Sequence, residues 1–148
     1  MKLWLRDIMT VGAVSFLLQL IWEVSQCSVF YQMELNLLNP LLWSATFGDM
    51  NMTIFLYALL SFVHGTRDWI EQPFTKTTMV IMTLYALFLS FFFEISALYK
   101  GRWEYSGLMP FFPGTNIGLL PVVQLLILFP AAFYISKLVL KRTENARV

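Results

Sequence analysis

The sequence QLIWEVSQ, residues 19–26, places Glu23 between two glutamines inside an apolar run. The run covers about residues 8–30, and a helix needs about 20 apolar residues to cross the hydrocarbon core of a bilayer. A charged group in that core costs about 2.5 to 3.5 kcal/mol even on the milder insertion scale. A carboxyl group at this position therefore indicates a polar site buried within a membrane protein.

The composition is typical of a chain surrounded by lipid. Of the 148 residues, 58% are hydrophobic and only 13% are charged, whereas soluble domains carry about 25% charged residues. The mean hydropathy is +0.66, and the many aromatic residues suit belts at the membrane interfaces. A net charge of +1 gives no basic surface for nucleic acid. The single cysteine, Cys27, excludes an internal disulfide and a cysteine-cluster metal site.

Four segments have the length and composition of membrane-spanning helices. They cover about residues 8–30, 41–63, 77–99 and 117–140. Pro40 suits the start of the second segment, since proline is favoured in the first turn of a helix. Pro121 and Pro130 predict kinks in the fourth. We therefore predict an all-α fold, an integral membrane four-helix bundle that forms a single transmembrane domain over residues 1–148.

The distribution of basic residues predicts the orientation of this bundle. Lys100 and Arg102 lie on one side of the predicted topology, and the remaining basic residues lie on the other. These are Lys2, Arg6, Arg67, Lys76, Lys137, Lys141, Arg142 and Arg147. Because the side richer in Lys and Arg faces the cytoplasm, both termini are predicted to be cytoplasmic, in a multi-pass protein of the plasma membrane, the inner membrane of a bacterium.

Each of the first three predicted spans contains one acidic residue, and the fourth contains a glutamine. The four residues are Glu23, Asp49, Glu94 and Gln124, each about five to eight residues from the outer end of its span. At 1.5 Å per residue, all four lie about 7 to 12 Å below the outer surface. We predict that they form one buried polar chamber near the outer face, with Glu23, Asp49 and Glu94 as candidate catalytic residues.

The spacing of polar residues predicts which helix faces line this chamber. Gln19, Glu23 and Gln26 follow an i, i+4, i+7 pattern and so share one face of the first helix. Two similar stripes, expected to face the bundle interior, are Thr46, Asp49 and Thr53 on the second helix and Thr83, Ser90 and Glu94 on the third. Gln, Ser and Thr also join membrane helices by hydrogen bonds, which is the alternative interpretation. The cytoplasmic half of the spans reads as nearly all apolar, which argues against a monomeric carrier.

The segment between the third and fourth spans, residues 100–116, combines aromatic residues with prolines. It is too apolar for a solvated loop, and its prolines prevent a helix. We predict a re-entrant or lid-like loop over the chamber; a simple aromatic anchor is the alternative. Lys100 and Arg102 are placed to offset the acids or to meet lipid phosphates. The candidate substrate-binding residues are Gln19, Gln26, Trp103, Tyr105 and Gln124.

Several short pieces form a pattern that covers most of the chain. They are Trp22-Glu23, Gly48-Asp49, Glu94, WEYSGLMPFFPG at residues 103–114 and IGLLPVVQ at residues 117–124. This pattern resembles a family of small four-helix bacterial membrane proteins of unassigned activity. Members of that family often carry His-Cys before Gly-Asp, where this chain has SATF at residues 44–47, and serine where it has Leu120. The resemblance implies the topology and the polar residues but no activity, and thiol or imidazole chemistry is not expected.

Three functions remain open at this point. The first is an acid/base enzyme, such as a cyclase, isomerase or hydratase, acting on a lipid or isoprenoid substrate. A protonated acid beside an ionised one is the pair that such reactions need, and aromatic faces stabilise carbocations. In this interpretation Asp49 or Glu23 donates the proton and Glu94 accepts one.

The second function is cation- or proton-coupled binding or transport. No cofactor is evident, but carboxyl oxygens of Glu23, Asp49 and Glu94 with an amide oxygen would suit a hard divalent cation such as Ca²⁺, Mg²⁺ or Mn²⁺. The third is an accessory subunit of a membrane complex. The expected partners are therefore membrane lipid, a hydrophobic small-molecule substrate, and a second copy of the chain or a membrane partner protein, but not nucleic acid.

Overall fold

The computed structural model describes residues 2–34 and 36–145 of the chain. In that part, four α-helices, each long and apolar enough to cross a membrane, lie at Lys2–Phe30 (α1), Pro40–His64 (α2), Lys76–Tyr99 (α3) and Leu119–Asn145 (α4). A short 3₁₀ helix, Arg67–Glu71, joins α2 to α3. The prediction of an all-α chain with four helices of membrane-spanning length is confirmed for the described residues. Arg147, one of the basic residues that predict the orientation, lies outside them.

Local capping explains where the helices begin and end. The side chain of Asn39 accepts a hydrogen bond from the backbone N–H of Leu41 at 3.0 Å, and Pro40 occupies the first turn of α2. α2 ends at Gly65, whose φ of +66° is the left-handed conformation that glycine adopts without strain. The side chain of Thr75 caps α3 by accepting from the backbone N–H of Thr78 at 3.1 Å. These capping residues are visible in the sequence.

The two prolines of the fourth span differ in their positions. Pro130 lies inside α4, as predicted. Pro121 lies in the first turn, because α4 begins at Leu119, and the backbone nitrogens of a first turn have no partner within the helix. A kink at Pro121 is therefore not expected.

The helices form an incomplete ring in the order α2, α1, α4 and α3. α1 packs against α2 and α4, and α4 packs against α3, whereas α2 and α3 have little contact with each other. We call the end with the start of α1 and the 3₁₀ helix the terminal end, and the end with residues 100–118 the loop end. The ring is thus open along one side, between α2 and α3.

The terminal end is packed around the buried side chain of Trp69. Its indole lies 5.2 Å from the ring of Phe133 and 5.8 Å from the ring of Tyr57, measured between ring centroids, and its Nε1 donates to Ser61 Oγ at 3.0 Å. The 3₁₀ helix that carries Trp69 therefore closes this end of the bundle. Large apolar side chains such as Phe62, 85% exposed, cover the outer faces, as a lipid-facing surface requires.

Candidate functional site

Residues 100–118 lie against the end of α1 and are attached to it by backbone hydrogen bonds. The N–H of Gln32 donates to the carbonyl of Glu104 at 2.9 Å, and the N–H of Ser106 donates to the carbonyl of Phe30 at 2.9 Å. The hydroxyl of Ser106 adds a third bond to the backbone of α1. This attachment fixes the side chains of the segment relative to the helices.

The segment positions the carboxyl group of Glu94, near the end of α3. The hydroxyl of Tyr105 donates to Glu94 Oε2, and Trp103 Nε1 lies 3.5 Å from the same oxygen. The hydroxyl of Tyr105 also accepts from the backbone N–H of Gly118 at 3.0 Å. Gly118 permits this approach, because a Cβ there would lie 2.9 Å from Met109 Sδ and 3.1 Å from the Tyr105 ring.

The side-chain amide of Gln124, on α4, joins residues of α1 and α2. Its Nε2 lies 2.8 Å from Gln19 Oε1, 2.9 Å from Glu23 Oε1 and 2.7 Å from Asp49 Oδ2. Gln26 Nε2 makes longer contacts, at 3.4 Å to Gln124 and 3.5 Å to Glu23. Since an amide nitrogen carries two hydrogens, at most two of the three close acceptors receive one from Gln124 at a time.

Glu23, Asp49 and Glu94 line one cavity of about 510 Å³ on the open side of the ring. Most of the wall is apolar, with side chains such as Leu42 and Met52. Each carboxyl group has one oxygen that accepts a hydrogen bond, whereas its second oxygen has no partner among the described residues. No basic side chain of that part of the chain lies within 4.0 Å of the three carboxyls. Three acceptor oxygens are therefore free to contact a molecule in the cavity.

The candidate substrate-binding residues divide into two groups. Trp103 and Gln124 line the cavity. The other three, Gln19, Gln26 and Tyr105, are not among the described residues of the cavity wall. Each of them hydrogen-bonds to a residue that does line the cavity, either Gln124 or Glu94. These three residues therefore lie behind the residues that line the cavity, and their part in substrate binding stays a prediction.

Tyr31 lines the same cavity and was not predicted as a site residue. Burial raises the pKa of its hydroxyl, and the neighbouring carboxyls of Glu94 and Glu23 raise that pKa further. The hydroxyl therefore stays protonated as an O–H donor. Tyr31 lies one residue beyond the predicted span, but it follows Cys27 by four residues and Glu23 by eight. That helical spacing is the signal that could have identified it.

One expectation about the polar stripes is wrong, because Thr83 is exposed rather than facing the bundle interior. The stripe on α2 continues beyond the cavity, since Ser15 and Thr53 are fully buried near the middle of their helices and their hydroxyls are 2.7 Å apart. The Tyr57 hydroxyl, also buried, has no partner among the described residues. Thr53 and Tyr57 follow Asp49 by four and eight residues, so the polar stripe continues along the same face of α2.

No group of three or more His, Cys, Asp or Glu side chains in residues 2–34 and 36–145 is arranged to hold a metal ion, so the divalent-cation site stays a prediction. Comparison of the chain with protein-family models, with curated proteins and with solved structures found no match. The resemblance to small four-helix bacterial membrane proteins therefore also stays a prediction. Any function has to be argued from the cavity itself.

Proposed function

We propose that this protein is a multi-pass membrane enzyme that transfers protons to and from a lipid or isoprenoid substrate held in the cavity between α2 and α3. The observation that supports this proposal most is the combination of three carboxyl groups, each with one unpartnered oxygen, with an apolar wall. Apolar walls bind hydrocarbon, and carboxyl groups shielded from water carry out general acid and base catalysis.

The proton donor in this proposal is Asp49 or Glu23. Both carboxyls approach Gln124 Nε2, which has too few hydrogens for its three close acceptors. A proton on one of these two carboxyls supplies the missing donor. That acid adds its proton to one carbon of a substrate double bond, which leaves a carbocation on the other carbon.

Glu94 is the proposed base. Its carboxylate takes a proton from a carbon next to the cation, and the electrons of that C–H bond form the new double bond. One proton enters and one leaves, so the product is an isomer of the substrate. The hydroxyls of Tyr31 and Tyr105 stay protonated beside the carboxyls; for Tyr105, burial and the hydrogen bond to Glu94 both raise the pKa.

Residues 100–118 act in this proposal as a lid that excludes water from the loop end of the cavity. The backbone hydrogen bonds to α1 and the contact of Tyr105 and Trp103 with Glu94 support this role. The same proposal places the loop end on the outer side of the membrane and both termini in the cytoplasm, because Lys and Arg are concentrated near the terminal end.

The test is to express the protein and the variants Glu23→Gln, Asp49→Asn and Glu94→Gln in separate cultures. The lipids extracted from the cells that express each form are then compared by mass spectrometry. We expect an isomeric or cyclised lipid that accumulates with the unchanged protein and disappears with all three variants. Glu34→Gln, which alters an exposed carboxylate, is the control and should behave as the unchanged protein. Identical lipid profiles for all forms would contradict the proposal.

The buried polar stripe towards the terminal end favours a second candidate, proton transfer between the two ends of the bundle. The hydroxyls of Ser15 and Thr53 are 2.7 Å apart, and the side chains of Tyr57 and Asp7 nearer the terminal end are also buried. In sealed vesicles, the unchanged protein should then conduct protons, and Ser15→Ala combined with the isosteric Thr53→Val should stop this flux. A flux that is absent, or equal in both forms, would exclude this candidate.

A further inference from the structure

The cavity runs along α2 from the loop end towards the middle of the bundle. Its wall on α2 extends from Leu41 to Phe55, which is about 21 Å along the helix axis. On α3 it extends from Tyr85 to Glu94, about 14 Å. Asp49 lies between these limits, about 12 Å along the axis from Leu41. The cavity is thus a slot with its carboxyl groups part of the way down.

The slot opens sideways. α2 and α3 have little contact with each other, and Phe55 and Phe93, which both line the slot, are 69% and 43% exposed on the surface of the chain. A side chain that lines a cavity and is also exposed lies at the edge of its opening. Because α2 and α3 are long and apolar enough to cross a membrane, this opening would face acyl chains rather than water when the helices span a bilayer.

Arg102 lies at the loop end of the slot and is the one basic residue among the described residues of its wall. Gly101, which follows the end of α3, has a φ of +62°, a conformation that glycine adopts without strain. The guanidinium group of Arg102 donates to Ser44 Oγ at 2.9 Å and lies 5.4 Å from the centroid of the Trp103 ring. An arginine has five N–H donors, and no carboxylate of the described residues pairs with this one.

We propose that the substrate is a single-chain amphiphile with an anionic headgroup, which enters from the lipid between α2 and α3 and binds with its headgroup on Arg102. This inference rests on the proposed function, because it concerns the same cavity. The chain lies along α2, so the bond that reacts is in the chain, about 8 Å from the headgroup, the axial distance from Ser44 to Asp49. A volume of about 510 Å³ suits one such molecule, since pockets for single ligands measure about 300 to 1,000 Å³.

The headgroup is tested with two probes that share one chain, hexadecyl phosphate and hexadecanol. Each is added to the delipidated full-length protein in detergent, and binding is measured by native mass spectrometry. We expect the phosphate to bind at least about tenfold more tightly, since hydrogen bonds to a charged group are strong enough for that ratio. Arg102→Gln should remove most of this difference, and Arg102→Lys should keep part of it.

The slot itself is tested by filling it. A Cβ added at Gly48, which lines the slot beside Asp49, would meet no atom within 4 Å. Gly48→Phe should therefore fold normally and prevent the binding of both probes. Ala58→Phe is the matched control, because Ala58 is an exposed residue of the same helix and is not among the residues of the slot wall; it should leave binding unchanged.

The possible results separate this inference from the proposed function. Equal binding of the two probes, or an unchanged preference in Arg102→Gln, would overturn the anionic headgroup. Binding that Gly48→Phe leaves unchanged would overturn access through the slot. The proposed acid and base chemistry fails on a different result, lipid profiles that the carboxyl variants do not change.

Discussion

At the scale of single residues, Gln124 has the largest influence on the site. Its amide connects Gln19 and Glu23 of α1 with Asp49 of α2. Sequence reasoning identified Gln124 from its depth alone, and depth follows from counting residues along a helix. The identity of its three acceptors could not be predicted, because it depends on the rotation of three helices about their own axes.

Gln124→Leu keeps the size of the side chain and removes the shared donor. Each buried acceptor left without a donor costs about 1 to 3 kcal/mol, so this variant should unfold at a lower temperature in detergent. Thr83→Val is the control, because it removes a polar group from an exposed site; it should leave the midpoint temperature of unfolding unchanged. Equal midpoints for Gln124→Leu and the unchanged protein would show that the amide does not hold the carboxyl groups together.

The tyrosines at the loop end give a pH dependence that can be measured. The pKa values of Tyr31 and Tyr105 are raised above that of an unfolded tyrosine, about 10. The folded protein therefore binds these two hydroxyl protons more tightly than the unfolded chain does. The contribution of the two tyrosines to the free energy of unfolding is constant below about pH 10 and is lost as the pH rises further. Absorbance of tyrosinate in the folded protein near pH 10 should be the same with Tyr31→Phe. A smaller absorbance in that variant would mean that Tyr31 ionises normally.

At the scale of elements, the helices were predictable and the connection between α3 and α4 only in part. Apolar length and the capping residues Asn39 and Thr75 are local signals, which explains why the observed bounds of α2 and α3 lie within one residue of the predicted spans. By contrast, α1 begins six residues before its predicted span and α4 ends five residues after its own. Prolines and aromatic residues predicted a non-helical, lid-like segment at residues 100–116, and the structure has no helix there. Ser106 is attached to the end of α1 by a backbone hydrogen bond. This contact joins parts of the chain that are far apart in sequence, so a local pattern could not predict it.

Gly118→Ala tests how tightly this connection packs. The added methyl group would lie 2.9 Å from Met109 Sδ and 3.1 Å from the ring of Tyr105, so Tyr105 should shift away from Glu94. Overpacking of this kind costs about 1 to 3 kcal/mol. We expect faster amide hydrogen exchange in residues 100–118, whereas Gly107→Ala, with open space around it, should exchange as the unchanged protein does. Equal exchange in both variants would contradict this packing.

At the scale of the whole molecule, the arrangement of the helices determines what the site can do. A closed four-helix ring would bury the three carboxyl groups among side chains, but with α2 and α3 apart all three residues line a cavity. The sequence predicted a shared layer of acids but not the side on which it opens. Which pair of helices stays apart depends on the packing of all four helices. The small residues Gly48 and Ala45 line the cavity, but no local sequence pattern around them indicates an opening between α2 and α3.

Labelling with a lipophilic carbodiimide, mapped by peptide mass spectrometry, tests whether Glu23, Asp49 and Glu94 share one cavity. We expect a label on all three carboxyls, and a loss of label on all three in Gly48→Phe. The exposed Glu34 and Glu104 provide the internal control, because their labelling should not change in that variant. Labelling of only one of the three, or labelling that Gly48→Phe reduces at one and leaves unchanged at the others, would contradict a shared cavity.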